Sequence, residues 1–114
     1  MKPLRILIVE DEPLLAMNLK EMVDEFVTAN VVAEPSVAAT KTALRKAVDF
    51  AFLDIQVTNG ETFEIAHMLE RKNVPFVFVS GSPQDQLPFD LRTVPFVSKP
   101  FFPAQIERVL QALH

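Results

Sequence analysis

Apolar residues fall along this chain in two alternating textures. Short continuous runs, Leu4 to Val9, Val31 to Ala33, Phe50 to Leu53, Phe76 to Val79 and Val94 to Val97, are rich in Val, Ile and Phe. Most are apolar at consecutive rather than alternate positions, which marks strands covered on both faces, as in a parallel sheet. The second run is the weakest. Between the runs, apolar residues recur at helical spacing. Leu15, Leu19, Met22, Val23 and Phe26 follow Pro13, a residue suited to a first helical turn. Ser36, after Pro35, is placed to cap a helix through Ala39, Ala43, Leu44 and Ala47. A third helix is predicted from Glu61 to Arg71 with Ile65, Ala66 and Leu69 inward. The last has Pro103 near its start and Ile106, Val109, Leu110 and Leu113 on one face. The stretch Pro83–Arg92 holds two prolines and few apolar residues, so any helix there is short or irregular. Strands alternating with helices predict an α/β sandwich, its parallel sheet built by right-handed crossovers.

Composition narrows the class. A chain of 114 residues accommodates one domain, since domains run to roughly 100–150 residues; a single unit over residues 1–114 with no output domain is expected. Hydrophobic residues make up 49%, enough to bury a core and argue against disorder. The longest apolar runs fall far short of the roughly 18 residues of a membrane span. The amino-terminal apolar run meets Glu10-Asp11-Glu12 instead of a small-residue cleavage site, so the expectation is a cytoplasmic protein that engages no membrane. Without cysteine there is neither a disulfide framework nor a thiolate metal site. A net charge of −4 argues against nucleic-acid partners, which need a basic footprint. The Phe residues are not interleaved with basic ones and read as core filling. Gly60 and Gly81, the two glycines, are expected at positions of positive φ or close approach. His67 has no histidine partner and reads as a surface or half-buried side chain; His114 is terminal and uninformative.

The polar residues at strand ends carry the chemistry. Glu10 and Asp11 follow the first strand, Asp54 ends the third, Ser80 the fourth and Lys99 the fifth. In a parallel sheet these ends share one edge, where open α/β folds bind ligands. Three carboxylates gathered there repel one another unless a cation sits among them, and one lysine neutralises only one charge. A hard divalent ion such as Mg²⁺, held by oxygens, is the natural remedy. A carboxylate nucleophile beside Mg²⁺, with a hydroxyl and an ammonium nearby, suits phosphoryl transfer.

Four segments at four strand ends carry a family likeness: Ile8-Val9-Glu10-Asp11-Glu12, Phe52-Leu53-Asp54-Ile55, Val79-Ser80-Gly81 and Val97-Ser98-Lys99-Pro100-Phe101. In this order and spacing the chain resembles, over essentially its whole length, the receiver domain of two-component response regulators. The resemblance implies a CheY-like, flavodoxin-like (βα)5 three-layer sandwich with strand order 2-1-3-4-5. The segment Pro75-Phe76-Val77-Phe78-Val79-Ser80-Gly81-Ser82, with Asn59-Gly60-Glu61 earlier, is similar to a mostly single-domain subgroup whose fourth strand reads Pro-Phe-x-Phe-Ala-Thr-Gly-Tyr. Val79 and Ser82 depart from that pattern.

The resemblance further implies that Asp54 takes a phosphoryl group from a phosphohistidine of a sensor histidine kinase or phosphotransfer protein. Asp11, Asp54 and the backbone carbonyl of Gln56 would hold Mg²⁺, with Glu10 acting through water. Ser80 and Lys99 would hold phosphoryl oxygens, supported by Gly81 and by a cis Lys99–Pro100 bond that aims the lysine. Phe96 would fill space vacated by Ser80 on phosphorylation and so remodel a protein-binding surface. Gln56 and Ser82 occupy the positions that tune access of water to the phosphoryl group. Thr58 stands where the family often has proline, and Phe96 where it often has tyrosine, so the switch works by packing alone. Two other readings stay open: a phosphorylation-independent scaffold or phosphate sink of the same fold, and a small Mg²⁺-dependent phosphatase. Such a phosphatase needs a second acid where Gln56 stands.

Overall fold

The apolar runs build a sheet buried on both sides. The computed structural model describes residues 3–112. In chain order its elements are β1 (Leu4–Val9), α1 (Pro13–Phe26), β2 (Ala29–Glu34), α2 (Val37–Ala43), β3 (Phe50–Leu53), β4 (Gln56–Val57), β5 (Gly60–Glu61), α3 (Phe63–Arg71), β6 (Phe76–Ser80), β7 (Phe96–Ser98) and α4 (Pro103–Gln111). The main sheet runs β2-β1-β3-β6-β7 with every pairing parallel. With the two-residue hairpin β4-β5 set aside, this is the expected order 2-1-3-4-5.

Alternate strand residues feed two cores, which makes three layers. Leu7, Val9, Ala51, Leu53, Phe76 and Phe78 pack with Ile65, Ala66 and Leu69 of α3 and Ala43 of α2. Ile6, Ile8, Phe50, Phe52, Val77 and Val79 pack on the other face with Ala16, Leu19 and Val23 of α1 and Ile106 and Leu110 of α4. Each fully buried Phe, Leu or Ile contributes about 1.5–3 kcal/mol relative to exposure. That is why β1 and β3, the central strands, tolerate almost no polar residue between Ile6 and Val9 or Phe50 and Leu53. The register pairs Val9 with Leu53, Leu53 with Phe78 and Ser80 with Ser98, so these strands finish along one edge.

Several boundaries differ from the sequence expectation. The second helix ends at Ala43 rather than running through Ala47, which is exposed. Ser36 caps its start, accepting from the Ala39 N–H at 3.1 Å. Its end is fixed by a residue far away in sequence: Arg5 Nη1 donates to the carbonyls of Ala43, Lys46 and Ala47 at 3.1, 3.3 and 3.3 Å. Those carbonyls, left over where a helix stops, thus have a partner in a non-helical turn. The third helix begins at Phe63, because Gly60 and Glu61 pair with Val57 and Gln56 instead. The last strand begins at Phe96 rather than Val94, since Pro95 has no N–H to donate and Val94 N–H closes a turn on Leu91 C=O at 3.2 Å. Leu113 and His114 lie outside the described residues.

The Pro83–Arg92 stretch is irregular, as expected. It forms two 3₁₀ turns, Gln84–Gln86 and Phe89–Leu91, each preceded by a proline. Leu87 and Leu91 are buried and fasten it to the core. No helix among the described residues is long and apolar enough to cross a membrane.

Candidate functional site

Four of the strand-end residues meet. Glu10 continues the β1 ladder, its N–H donating to Glu34 C=O at 3.0 Å, and the residue is only 8% exposed. Asp54 leaves β3 with its N–H on Val9 C=O at 2.9 Å. Lys99 follows β7, its N–H on Ser80 C=O at 3.0 Å, and the Lys99–Pro100 peptide is cis. From there Lys99 Nζ reaches Glu10 Oε1 at 2.5 Å and Asp54 Oδ2 at 2.8 Å. Asp11, more exposed, completes the group. Glu10, Asp11 and Asp54 bring carboxylate oxygens within 4.8 Å of one another.

The electrostatics follow from this crowding. Burial pushes the Glu10 carboxyl above its ordinary 4.5; the Asp54 charge adds to this, while hydrogen bonds from Lys99 and the Glu12 N–H oppose it. Burial works against the Lys99 charge too, but its hydrogen bonds to Asp54 and Glu10 outweigh that and hold the ammonium above its ordinary 10.5. Three carboxylates face one ammonium, so negative charge remains in excess. The donors are all oxygens, the set that a hard divalent cation prefers, and Mg²⁺ fits it. A cleft of about 390 Å³, lined by Glu10, Asp11, Pro13, Met17 and Pro35 among others, opens from the cluster alongside α1.

The other expected site residues lie nearby without joining the network. Ser80 is buried, and its Oγ accepts from the Ser82 N–H at 3.1 Å; that hydroxyl makes no hydrogen bond to the Asp54 or Lys99 side chain. Phe96 is half-buried, pairs in register with Phe78 and packs on the core facing α2 and α3. The Gln56 side chain is exposed on β4. Ser82 is half-buried and reaches Ser80 through its N–H. The glycine expectation divides. Gly60, the first residue of β5, holds φ +141° directly after Asn59 at φ 68° in the turn of the β4-β5 hairpin. Gly81 is exposed, lies outside the left-handed region, and a Cβ built on it would meet nothing within 4 Å. It is an ordinary turn residue, because the chain leaving Ser80 runs into open space.

One residue that pattern reading passes over belongs to the site's frame. Thr62 is fully buried. Its Oγ1 donates to the Asp54 carbonyl and its N–H donates to the Ile55 carbonyl at 2.9 Å. A threonine just before a helix reads as an ordinary cap; its burial and the hydrogen bond its hydroxyl donates to Asp54 separate it from one.

Comparison with known proteins gives one consistent answer. A family model described as the response regulator receiver domain matches residues 6–111. The phyllosphere-induced regulator PhyR of Methylorubrum extorquens is 36% identical over 95% of this chain, which covers 43% of that protein. The chain spans about half the length of the curated relatives it matches. The solution structure of SdrG from Sphingomonas melonis Fr1 superposes with a TM-score of 0.83 at 32% identity, covering 99% of this chain and 98% of that one. A BeF3-activated conformation of SdrG from Pseudomonas melonis Fr1 superposes with a TM-score of 0.79 at 33% identity, with 99% and 98% covered. A sheet in the order this family requires, with an acidic cluster and a lysine at its carboxyl edge, completes the case: the chain belongs to the response regulator receiver domain family of two-component signalling systems.

Proposed function

We propose that this domain is a phosphorylation switch in which Asp54 accepts a phosphoryl group from a phosphohistidine of a sensor kinase or phosphotransfer protein. The observation that carries the reading is the meeting of Asp54, Glu10, Asp11 and Lys99 at the sheet edge. An Asp54 side-chain oxygen attacks phosphorus; the P–N bond breaks, its electron pair stays on the imidazole nitrogen, and that nitrogen takes up a proton. Asp11, Asp54 and the Gln56 carbonyl would hold Mg²⁺, with Glu10 acting through water. Bound there, the ion supplies positive charge that screens the carboxylates and the transferred group. Lys99 releases Asp54 Oδ2 and pairs with a phosphoryl oxygen. Ser80 Oγ leaves the Ser82 N–H and donates to another phosphoryl oxygen.

The output is a change of surface. Movement of Ser80 opens space beside Phe96, in the same layer of side chains. Phe96 turns into it and reshapes the face formed by the 83–92 segment, β7 and α4. Having no hydroxyl, Phe96 acts through packing only, and the signal passes to a protein partner. Gln56 and Ser82 flank the phosphoryl group and set how readily water removes it.

Incubation with Mg²⁺ and acetyl phosphate, read by intact mass spectrometry, tests the proposal. One phosphoryl adduct is expected, absent in Asp54→Asn. No adduct with any donor would leave the phosphorylation-independent scaffold as the better reading. Multiple-turnover release of phosphate would favour the phosphatase.

A further inference from the structure

We propose that Thr62 is a positioning residue for Asp54: its buried hydroxyl fixes the peptide plane whose N–H holds the Asp54 carboxylate. The proposal rests on Asp54 being the phosphoryl acceptor. The observation behind it is an unusual use of a threonine. Thr62 immediately precedes α3, where a threonine ordinarily accepts a hydrogen bond from an N–H of the first turn. Its side chain makes no such bond. Instead Oγ1 turns back and donates to the Asp54 carbonyl, with the Ile55 carbonyl at 3.3 Å.

Planarity of the peptide gives that bond its consequence. The C=O of Asp54 and the N–H of Ile55 belong to one rigid trans unit and point in opposite directions. Holding the carbonyl toward Thr62 therefore aims the Ile55 N–H the other way, and there it donates to Asp54 Oδ1 at 2.7 Å. Lys99 takes Asp54 Oδ2 at 2.8 Å. The two carboxylate oxygens are thus fixed by different groups, and the carboxylate plane is set before any donor arrives. The Thr62 N–H, on Ile55 C=O at 2.9 Å, closes the same loop from the backbone, and Gln56 pairs with Glu61 within it. Thr62 touches neither the carboxylate nor the phosphoryl group; it acts through the peptide. A reacting oxygen displaced by about 1 Å loses on the order of a hundredfold in rate, so a frame of this kind bears directly on phosphorylation.

The test compares Thr62→Val, which keeps the shape and loses the hydroxyl, with Thr62→Ser, which keeps the hydroxyl. Thr62→Ala serves as a second hydroxyl-free variant should valine not fold. Two readouts are taken. The first is the NMR shift of the Ile55 amide proton, which reports its bond to Asp54 Oδ1 and requires no phosphorylation. The second is the rate of adduct formation at saturating Mg²⁺ and acetyl phosphate, below each variant's Tm. Leu110→Ala, remote from the site, is a control for loss of stability alone. Thr62→Val is expected to move the Ile55 amide upfield and slow the adduct by about tenfold or more. Thr62→Ser should restore both, and Leu110→Ala should alter neither. An unmoved Ile55 amide in Thr62→Val, or equal rate losses in Thr62→Val and Leu110→Ala, would overturn the positioning role. Absence of an adduct in the wild-type protein overturns the Asp54 acceptor reading and the catalytic consequence with it, while the amide shift still decides whether Thr62 sets the peptide.

Discussion

Glu10 and Lys99 respond to pH in opposite directions, and the signs follow from their surroundings. The native Glu10 carboxyl lies above its ordinary 4.5, so the folded state binds this proton more tightly than the unfolded chain does. Without metal, its contribution to stability becomes more favourable as pH falls through the raised native value and levels off below 4.5. The native Lys99 ammonium lies above 10.5, so its contribution is fully present below 10.5 and is lost as pH rises through the native value. Urea unfolding of wild type, Glu10→Gln and Lys99→Met across pH in chelator-treated buffer checks both. The wild-type advantage over Lys99→Met should shrink on the alkaline side as the ammonium loses its proton. Relative to Glu10→Gln, wild type should gain as the solution is acidified. Equal pH profiles for all three proteins would refute the coupling.

Among the elements, the β4-β5 hairpin separates what a residue type suggests from what its backbone requires. Both glycines look alike in sequence, yet only Gly60 has a backbone that side chains resist. A Cβ there would meet Val37 at a comfortable 3.8 Å, so the penalty for alanine comes from φ +141° and not from a clash. Gly60→Ala is expected to cost about 1–3 kcal/mol, and Gly81→Ala to stay within about 0.5 kcal/mol, both measured by urea unfolding. Equal costs would mean that the hairpin does not hold Gly60 in this conformation. Helix ends show a related limit. Pro13 and Pro103 mark true starts, because proline's fixed φ and missing N–H suit the first turn in any context. The end of α2 carries no local signal, since Arg5 on β1 supplies the partner for the carbonyls of Ala43 and of the turn that follows it.

For the molecule as a whole, the sheet edge concentrates negative charge that folding alone does not relieve. A cation bound only by the native state stabilises it by about 1.4 kcal/mol at ten times its Kd. In a domain of this size that corresponds to a Tm rise on the order of 5 °C. Mg²⁺ at millimolar concentration should produce such a rise in a thermal melt, and Asp11→Asn should diminish it by removing a ligand oxygen. No shift at any Mg²⁺ concentration would argue against the metal assignment.

Much of this architecture is written locally. Consecutive apolar residues mark β1 and β3 because a strand covered on both faces excludes polar side chains. Helical spacing marks α1, α3 and α4, and Pro83 and Pro88 break the segment between β6 and β7. Placement of Glu10, Asp11, Asp54 and Lys99 at strand ends follows from the same pattern, because all parallel strands finish on one side. What the pattern could not contain is which distant groups touch. The Lys99 ammonium and Glu10 are 89 residues apart, and their 2.5 Å contact exists only because β1 and β7 are held in register through β3 and β6. The direction of the Thr62 hydroxyl is equally undetermined by its neighbours in sequence, and the place before α3 that the fold gives it would ordinarily make it a cap. Local periodicity specifies which face of an element is apolar; the direction of a buried polar group depends on the partners that packing brings to it.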